Sequence, residues 1–342
     1  MKSSLYWKKR SEQVANRQFD KADEYERLQR REYDRAIAAI IRDIETFYQR
    51  YAINNEVSMS EARKQLTRGE LKEFRMSLEE FTAKAKDNAD GRWTQELNSV
   101  YYRTRVTRFE ALLAQINQEV EMLAGGRQAG TEALLGGIYK DTYHRTLYEL
   151  QAGTGVGVSF AKIDDEGLKT ILGAKLDGRN WSQRIWGDRT KLRQELQTKI
   201  SQSFIRGDSI DRTVRDVTER LNVSRSNAER LVQTESAFFV GQATMKGYKE
   251  SGVVQRYEVL ATLDKRTSDV CRGMDRKVFP LSEMEVGVNY PPFHVRCRTT
   301  TVAYFDDEIT PGERIARDDE RETYYVPGDT TYAEWKSKYV DP

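Results

Sequence analysis

The 342 residues leave room for two or three domains. Charged residues make up 32% and the mean hydropathy is −0.76, yet 38% of residues are hydrophobic, with 18 Tyr, 12 Phe and 5 Trp, which excludes wholesale disorder. Two cysteines exclude a disulfide framework and point to folding in a reducing compartment. No window approaches 18 uninterrupted apolar residues, so no membrane-spanning helix is expected, and Met1–Arg10 lacks the apolar core of a signal peptide.

The net charge of +2 is unevenly distributed. Residues 306–342 hold 11 acidic and 5 basic side chains, a net of −6, which leaves the first 305 at +8. A basic body with an acidic tail suits contact with nucleic acid or masking within the chain. The two signs are also interspersed throughout, as on solvated helix faces.

Residues 1–10 are basic, with Tyr6 and Trp7, and read as an arm or a frayed end. From Ser11 to Tyr51 the pattern is helical. Ile37, Ile40, Ile41, Ile44, Phe47, Tyr48 and Tyr51 recur at three- and four-residue steps, which puts them on one stripe. The helix should end near Asn54-Asn55. A second helix is expected from Ser60 to about Arg68. Thr67 and Glu70 have capping-box spacing for a third, with Leu71, Phe74, Leu78 and Phe81 inward. Asp90-Gly91 marks a turn. A long helix from Arg92 to Ala124 should stop at Gly125-Gly126, and another should cover Thr131 to Gln151.

Gly153-Thr154-Gly155-Val156-Gly157 breaks the pattern and reads as a hinge. It lacks the Gly-Lys-Ser/Thr ending and the leading strand of a phosphate loop. Helices then follow at Leu168–Leu172, at Ser182–Ile205 with Gly207 ending it, and at Ser209–Leu221. Ser224 would cap a last long helix that runs to Glu250 and stops at Gly252. Between Lys175 and Val232 stand 13 basic and 8 acidic residues, with Trp181 and Trp186 interleaved. That is short of the clustered stripe of a nucleic-acid-binding face, so the aromatics are expected in the core. The acidic tail reads as extended, with a late capping box at Thr331–Glu334 opening a short helix.

Tyr257–Phe305 holds both cysteines, Cys271 and Cys297, and one of the two histidines, His294. Tyr257–Thr262 and Thr299–Phe305 have the β-branched and aromatic content of strands, and Leu263–Asp269 is polar and turn-like. The expected architecture is therefore mainly α, with a small α+β C-terminal module. The long-helix region covers 1–152 and the Gly-rich hinge 153–163. A helical segment covers 164–252, the Cys/His module with its short strands 253–305, and the acidic tail 306–342.

The module resembles the C-terminal signature of the phage head-morphogenesis family, the Mu F-like minor head proteins. Those chains carry Asp-x-x-Thr-Cys-x-x-Cys-x-x-Leu-Asp-Gly, a hydrophobic pair, then Pro-Pro-x-His-x-x-Cys-Arg-Cys. Asp264, Arg266, Thr267, Cys271, Met274, Asp275, Val278, Phe279, Pro291, Pro292, His294, Cys297 and Arg298 fall on this pattern. Ser268 and Thr299 stand where other members have cysteine, and Arg276 where Gly is usual. Ala228–Glu235 looks like the family's helix ending in Thr-Glu, here Thr234 and Glu235.

Three N/S donors, Cys271, His294 and Cys297, could hold structural zinc if Asp264 or Asp269 completed a tetrahedron. Otherwise they are buried thiols beside a hydrogen-bonded imidazole, or a disulfide formed after exposure to oxidant. A nucleophilic Cys–His pair oriented by Asp264 or Asp275 is the enzymatic alternative. His144, on a helix, is a surface histidine. Glu235 would accept from Arg266 or Arg298 and lock helix to strands. Thr234, Asp264, Thr267, Asp275, Pro292 and Arg298 are expected to act structurally. The resemblance implies a non-enzymatic minor capsid protein of a tailed phage. Such a protein sits inside the head near the portal, after assembly in the host cytoplasm. Its expected partners are the portal, the capsid or scaffold, and non-specifically the phage DNA, with roles in head morphogenesis, packaging or ejection. The rival class is a phage-borne nuclease or toxin-like enzyme.

Overall fold

The computed structural model describes residues 3–85, 105–156, 163, 165–305, 313–317, 323–327 and 334. Eight α-helices stand among them: α1 (Ser4–Tyr51), α2 (Met59–Ala62), α3 (Arg68–Ala85), α4 (Arg108–Thr154), α5 (Asp165–Leu172), α6 (Trp181–Arg206), α7 (Ile210–Ser251) and α8 (Asp269–Met274). Strands β1 (Arg256–Leu260), β2 (Val278–Pro280) and β3 (Thr300–Tyr304) form one antiparallel sheet, ordered β2-β1-β3. Strands β4 (Glu313–Arg317) and β5 (Thr323–Pro327) pair as a separate antiparallel ribbon. The chain is thus mainly α with a small sheet near its C-terminus, as the residue pattern implies.

It divides into two compact units. A helical unit comprises Glu26–Thr131 and Arg179–Glu229, and a mixed unit comprises Met1–Tyr25, Glu132–Gly178 and Arg230–Pro342. The helical unit is built on the apolar stripes. Ile40, Ile44 and Phe47 of α1 meet Leu112, Ile116 and Val120 of α4, Leu192, Leu196, Ile200 and Phe204 of α6, and Val217 and Leu221 of α7. Phe47 stacks on Phe204 at 5.3 Å between centroids. The Thr67–Glu70 capping box forms, with Thr67 N donating to Glu70 Oε2 at 2.7 Å. Gly207 ends α6 at φ 66°, a left-handed position that glycine adopts without Cβ strain.

In the mixed unit, Trp7 of α1, Leu150 of α4 and Met245 and Tyr248 of α7 cover Tyr257, Val259, Val302 and Ala303 of the sheet. The register pairs Tyr257 with Phe279 on one side and with Ala303 on the other. Strand β1 is central, so Tyr257 to Leu260 are all buried, Glu258 included. Lys8 pairs with Glu258 at 2.9 Å, which compensates that carboxylate's desolvation.

Several expectations change. Residues 4–10 are helical, and Trp7 is only 4% exposed, because its indole fills the gap over the sheet. The second helix is the short α2, not Ser60–Arg68. Helix α4 runs through Gly125-Gly126. A helical glycine costs only about 1 kcal/mol against alanine, less than the packing of a 47-residue helix returns. Ser224 does not cap a helix, since α7 is continuous from Ile210. Its hydroxyl donates to Asp188 Oδ2 at 2.8 Å and meets the Tyr33 hydroxyl at 3.0 Å. Asp188 Oδ2 also takes Arg127 at 2.8 Å, so a buried polar network holds this serine. Trp181 is buried, as expected. The Asp90-Gly91 turn, the Leu78 and Phe81 side chains and the Thr331 cap lie outside the described residues.

Candidate functional site

The site is assembled on one wall of the mixed unit by the end of α7, the helix α8 and the loop from Tyr290 to Thr299. Gly241 of α7 allows close approach there. A Cβ at this position would come within 3.1 Å of the Pro291 carbonyl oxygen and 3.0 Å of the Tyr290 ring. The Tyr290 hydroxyl instead donates to Gly241 O at 2.8 Å. Ser268 caps α8 by accepting from Cys271 N at 3.2 Å, which turns Cys271 inward on the first turn. At the far end of α8, Asp275 Oδ1 accepts from Ala261 N at 2.8 Å. Arg276 then sits at φ 64°, which explains why glycine suits this position in the family pattern.

Cys271 Sγ lies 3.0 Å from His294 Nε2 and 3.7 Å from Cys297 Sγ. All three donor atoms fall within 4.8 Å of one another. His294 Nδ1 stands 2.7 Å from the Val295 carbonyl oxygen. A carbonyl can only accept, so Nδ1 carries the proton and Nε2 offers its lone pair towards Cys271. The two thiols are buried and unbonded to each other. The neighbouring Cys271 sulfur holds the Cys297 thiol down to about 6, against the upward push of burial. Backbone N–H groups of Phe293 and Thr299 add to the effect. The same contact, with burial, drives the Cys271 thiol upward.

The three candidate donors are thus brought together by a helix and a loop rather than by the strands of the sheet. Cys271 comes from a helix, and His294 and Cys297 come from a loop. Neither Asp264 nor Asp269 belongs to the donor group. Asp264 is buried and accepts from Arg266 N at 2.9 Å and Thr267 Oγ1 at 3.0 Å, and it pairs with Arg298. Burial would raise its carboxyl, but Arg298 and Thr267 hold it below the ordinary range. Asp269 is solvent-facing and pairs with Arg272 at 2.9 Å. Pro292 is buried in the loop.

Thr234 is a second direct link from α7 to the loop. Its hydroxyl accepts from Arg296 N at 3.1 Å and donates to Arg230 O at 2.7 Å. Arg296 is at φ 59°, so that N–H is fixed in a tight turn between His294 and Cys297. Glu235 is buried beside it, but Arg298, one of its expected partners, turns to Asp264. Two contacts escape the sequence reading. The Thr299 hydroxyl favours the thiolate form of both sulfurs, and the Ser268 hydroxyl accepts from Cys271 N. The available signal was that both hydroxyls stand at the positions where other family members have cysteine. His144 is exposed on α4.

Helices leading into a three-stranded sheet, with a Cys/His loop pinned by a Thr-Glu helix, define an α-rich protein carrying a compact signature module. Residues 194–302 match the family model described as "Phage Mu protein F like protein", so this part of the chain is similar to the Mu F-like phage head-morphogenesis family. A curated relative, the NAD(+)–arginine ADP-ribosyltransferase EFV of Enterococcus faecalis, is 23% identical over 259 residues. That match covers 71% of this chain and 53% of the relative, so the chain spans about half of that relative's length. No solved structure matches the chain. Among the described residues, no helix is long and apolar enough to cross a membrane.

Proposed function

We propose that this chain is a minor structural protein of a tailed-phage head, placed inside the head near the portal and acting in assembly, packaging or ejection. The observation that carries this is the match over residues 194–302, which spans the Thr234 helix and nearly all of the Cys/His module. The geometry supports a scaffold role for the motif. Asp264, Thr267, Asp275 and Arg298 are spent on internal hydrogen bonds and an ion pair. Thr234 ties helix to loop. The partners in this reading are the portal, the capsid or scaffold, and phage DNA held non-specifically by the basic body. Co-expression of the full chain with portal, scaffold and capsid proteins tests it. The chain should enter procapsids and co-purify with the portal ring. Its absence from both overturns the reading.

The ADP-ribosyltransferase relative favours one second reading, a toxin-like enzyme. Incubating the full chain with NAD and an arginine acceptor separates the two. Transfer of ADP-ribose above a protein-free blank would support the enzyme.

A further inference from the structure

We propose that Cys271, His294 and Cys297 bind one thiophilic divalent ion of the zinc class through three protein ligands, with the fourth position open beside the Thr299 hydroxyl. The donor set is already close to what such an ion needs. Tetrahedral zinc with thiolates at about 2.3 Å separates its sulfurs by about 3.8 Å, and the sulfurs here are 3.7 Å apart. A tetrahedral sulfur–nitrogen separation is about 3.5 Å, so the 3.0 Å between Cys271 Sγ and His294 Nε2 must open by about half an ångström. The imidazole is fixed in the tautomer a ligand requires, because Nδ1–H is held by the Val295 carbonyl. Two sulfurs and an imidazole select a borderline-soft ion over magnesium or calcium.

The usual fourth ligand is missing from the surroundings in a specific way. Asp264 is engaged by Arg298 and Thr267, Asp275 by Ala261 N, and Asp269 faces solvent with Arg272. No described carboxylate joins the three donors. Two residues beyond Cys297 stands the buried hydroxyl of Thr299. A neutral hydroxyl is a weak ligand, so that apex is left to solvent or to a donor from outside. On binding, the thiol proton passes to solvent and two thiolates neutralise the ion's charge. The bound ion would join α8 to the 290–299 loop and, through Thr234 and Arg296, to α7.

The test uses the full chain, purified without chelator, with metal content measured after zinc loading and desalting. The expected result is one zinc per chain. Cobalt substitution should give the intense visible bands of tetrahedral Co2+ with thiolate charge transfer. Cys297→Ser should lower zinc affinity by at least about tenfold, and Thr299→Cys should raise it by about as much by adding a third thiolate at the open apex. The cobalt spectrum of the unsubstituted chain reads thiolate ligation directly, whether or not Cys297→Ser folds. Absence of both bound zinc and the charge-transfer band would overturn the site and leave a hydrogen-bonded thiol pair. Zinc binding unchanged in both variants would place the metal elsewhere and overturn it equally.

Discussion

Asp43 and Asp141 are carboxylates displaced in opposite directions, and the signs make different forecasts. Burial and the nearby Glu119 raise Asp43 to about 6 from 3.8. Its folded form therefore prefers the proton, so stability falls as pH rises from about 4 to 6 and stays lower above that. Asp43→Asn should be more stable than the parent by about 1 kcal/mol at pH 7, and the gain should vanish towards pH 4, as read from urea midpoints. For Asp141 burial also acts upward, but Lys21 at 2.8 Å and Gln18 at 2.7 Å bring it to about 2. The contribution of Asp141 is present above about 4 and is lost as pH falls towards 2. Asp141→Asn should cost roughly 1 kcal/mol at neutral pH, discounted for partial exposure, and nothing at the acid end. In the Cys/His module, the proximity of Cys271, His294 and Cys297 was legible from the family spacing. The role of Thr234 was not, because a threonine on a helix gives no sign of which backbone N–H it will meet.

At the scale of elements, local signals with a single dominant cause were the readable ones. The Thr67–Glu70 cap, the Gly207 stop and the two outer limits of the β-module all lie close to where their residues put them. Signals worth only about 1 kcal/mol were misleading where packing opposed them, as at Gly125-Gly126 and Ser224. One plain signal was passed over. Thr107 and Glu110 form a reciprocal capping box at the start of α4, with bonds of 2.8 and 3.1 Å. A reading that carried one helix across from Arg92 hid it. Two glycines of α4 make the energetics testable. A Cβ on Gly126 meets nothing within 4 Å, so Gly126→Ala should stabilise by up to about 1 kcal/mol. A Cβ on Gly153 would overlap the Trp7 ring, so Gly153→Ala should lower the thermal midpoint and loosen Trp7, visible in its fluorescence.

For the whole molecule, charge and connectivity carry the forecasts. If the basic body binds DNA, affinity should fall steeply with salt and show no sequence preference. Deleting residues 306–342 removes a net of −6 and should tighten that binding, and equal affinities would dismiss masking by the tail. The mixed unit is drawn from three separated stretches, 1–25, 132–178 and 230–342. Cutting the chain between Gly153 and Gly155 should therefore leave a C-terminal fragment without Trp7 and Leu150 and with an exposed sheet face, detectable by dye binding. The contact of Trp7 with Phe305, at 5.1 Å between ring centroids, also bears on the order of events at the ribosome. The indole of Trp7 is made well before Phe305 and lacks this ring partner until the chain has passed β3. Lys8 likewise waits for Glu258. The helical unit, complete by Glu229, can close during synthesis, while the mixed unit must close after it. A released fragment ending at Glu229 should thus already protect α6 from protease while the residues around Trp7 are still cut.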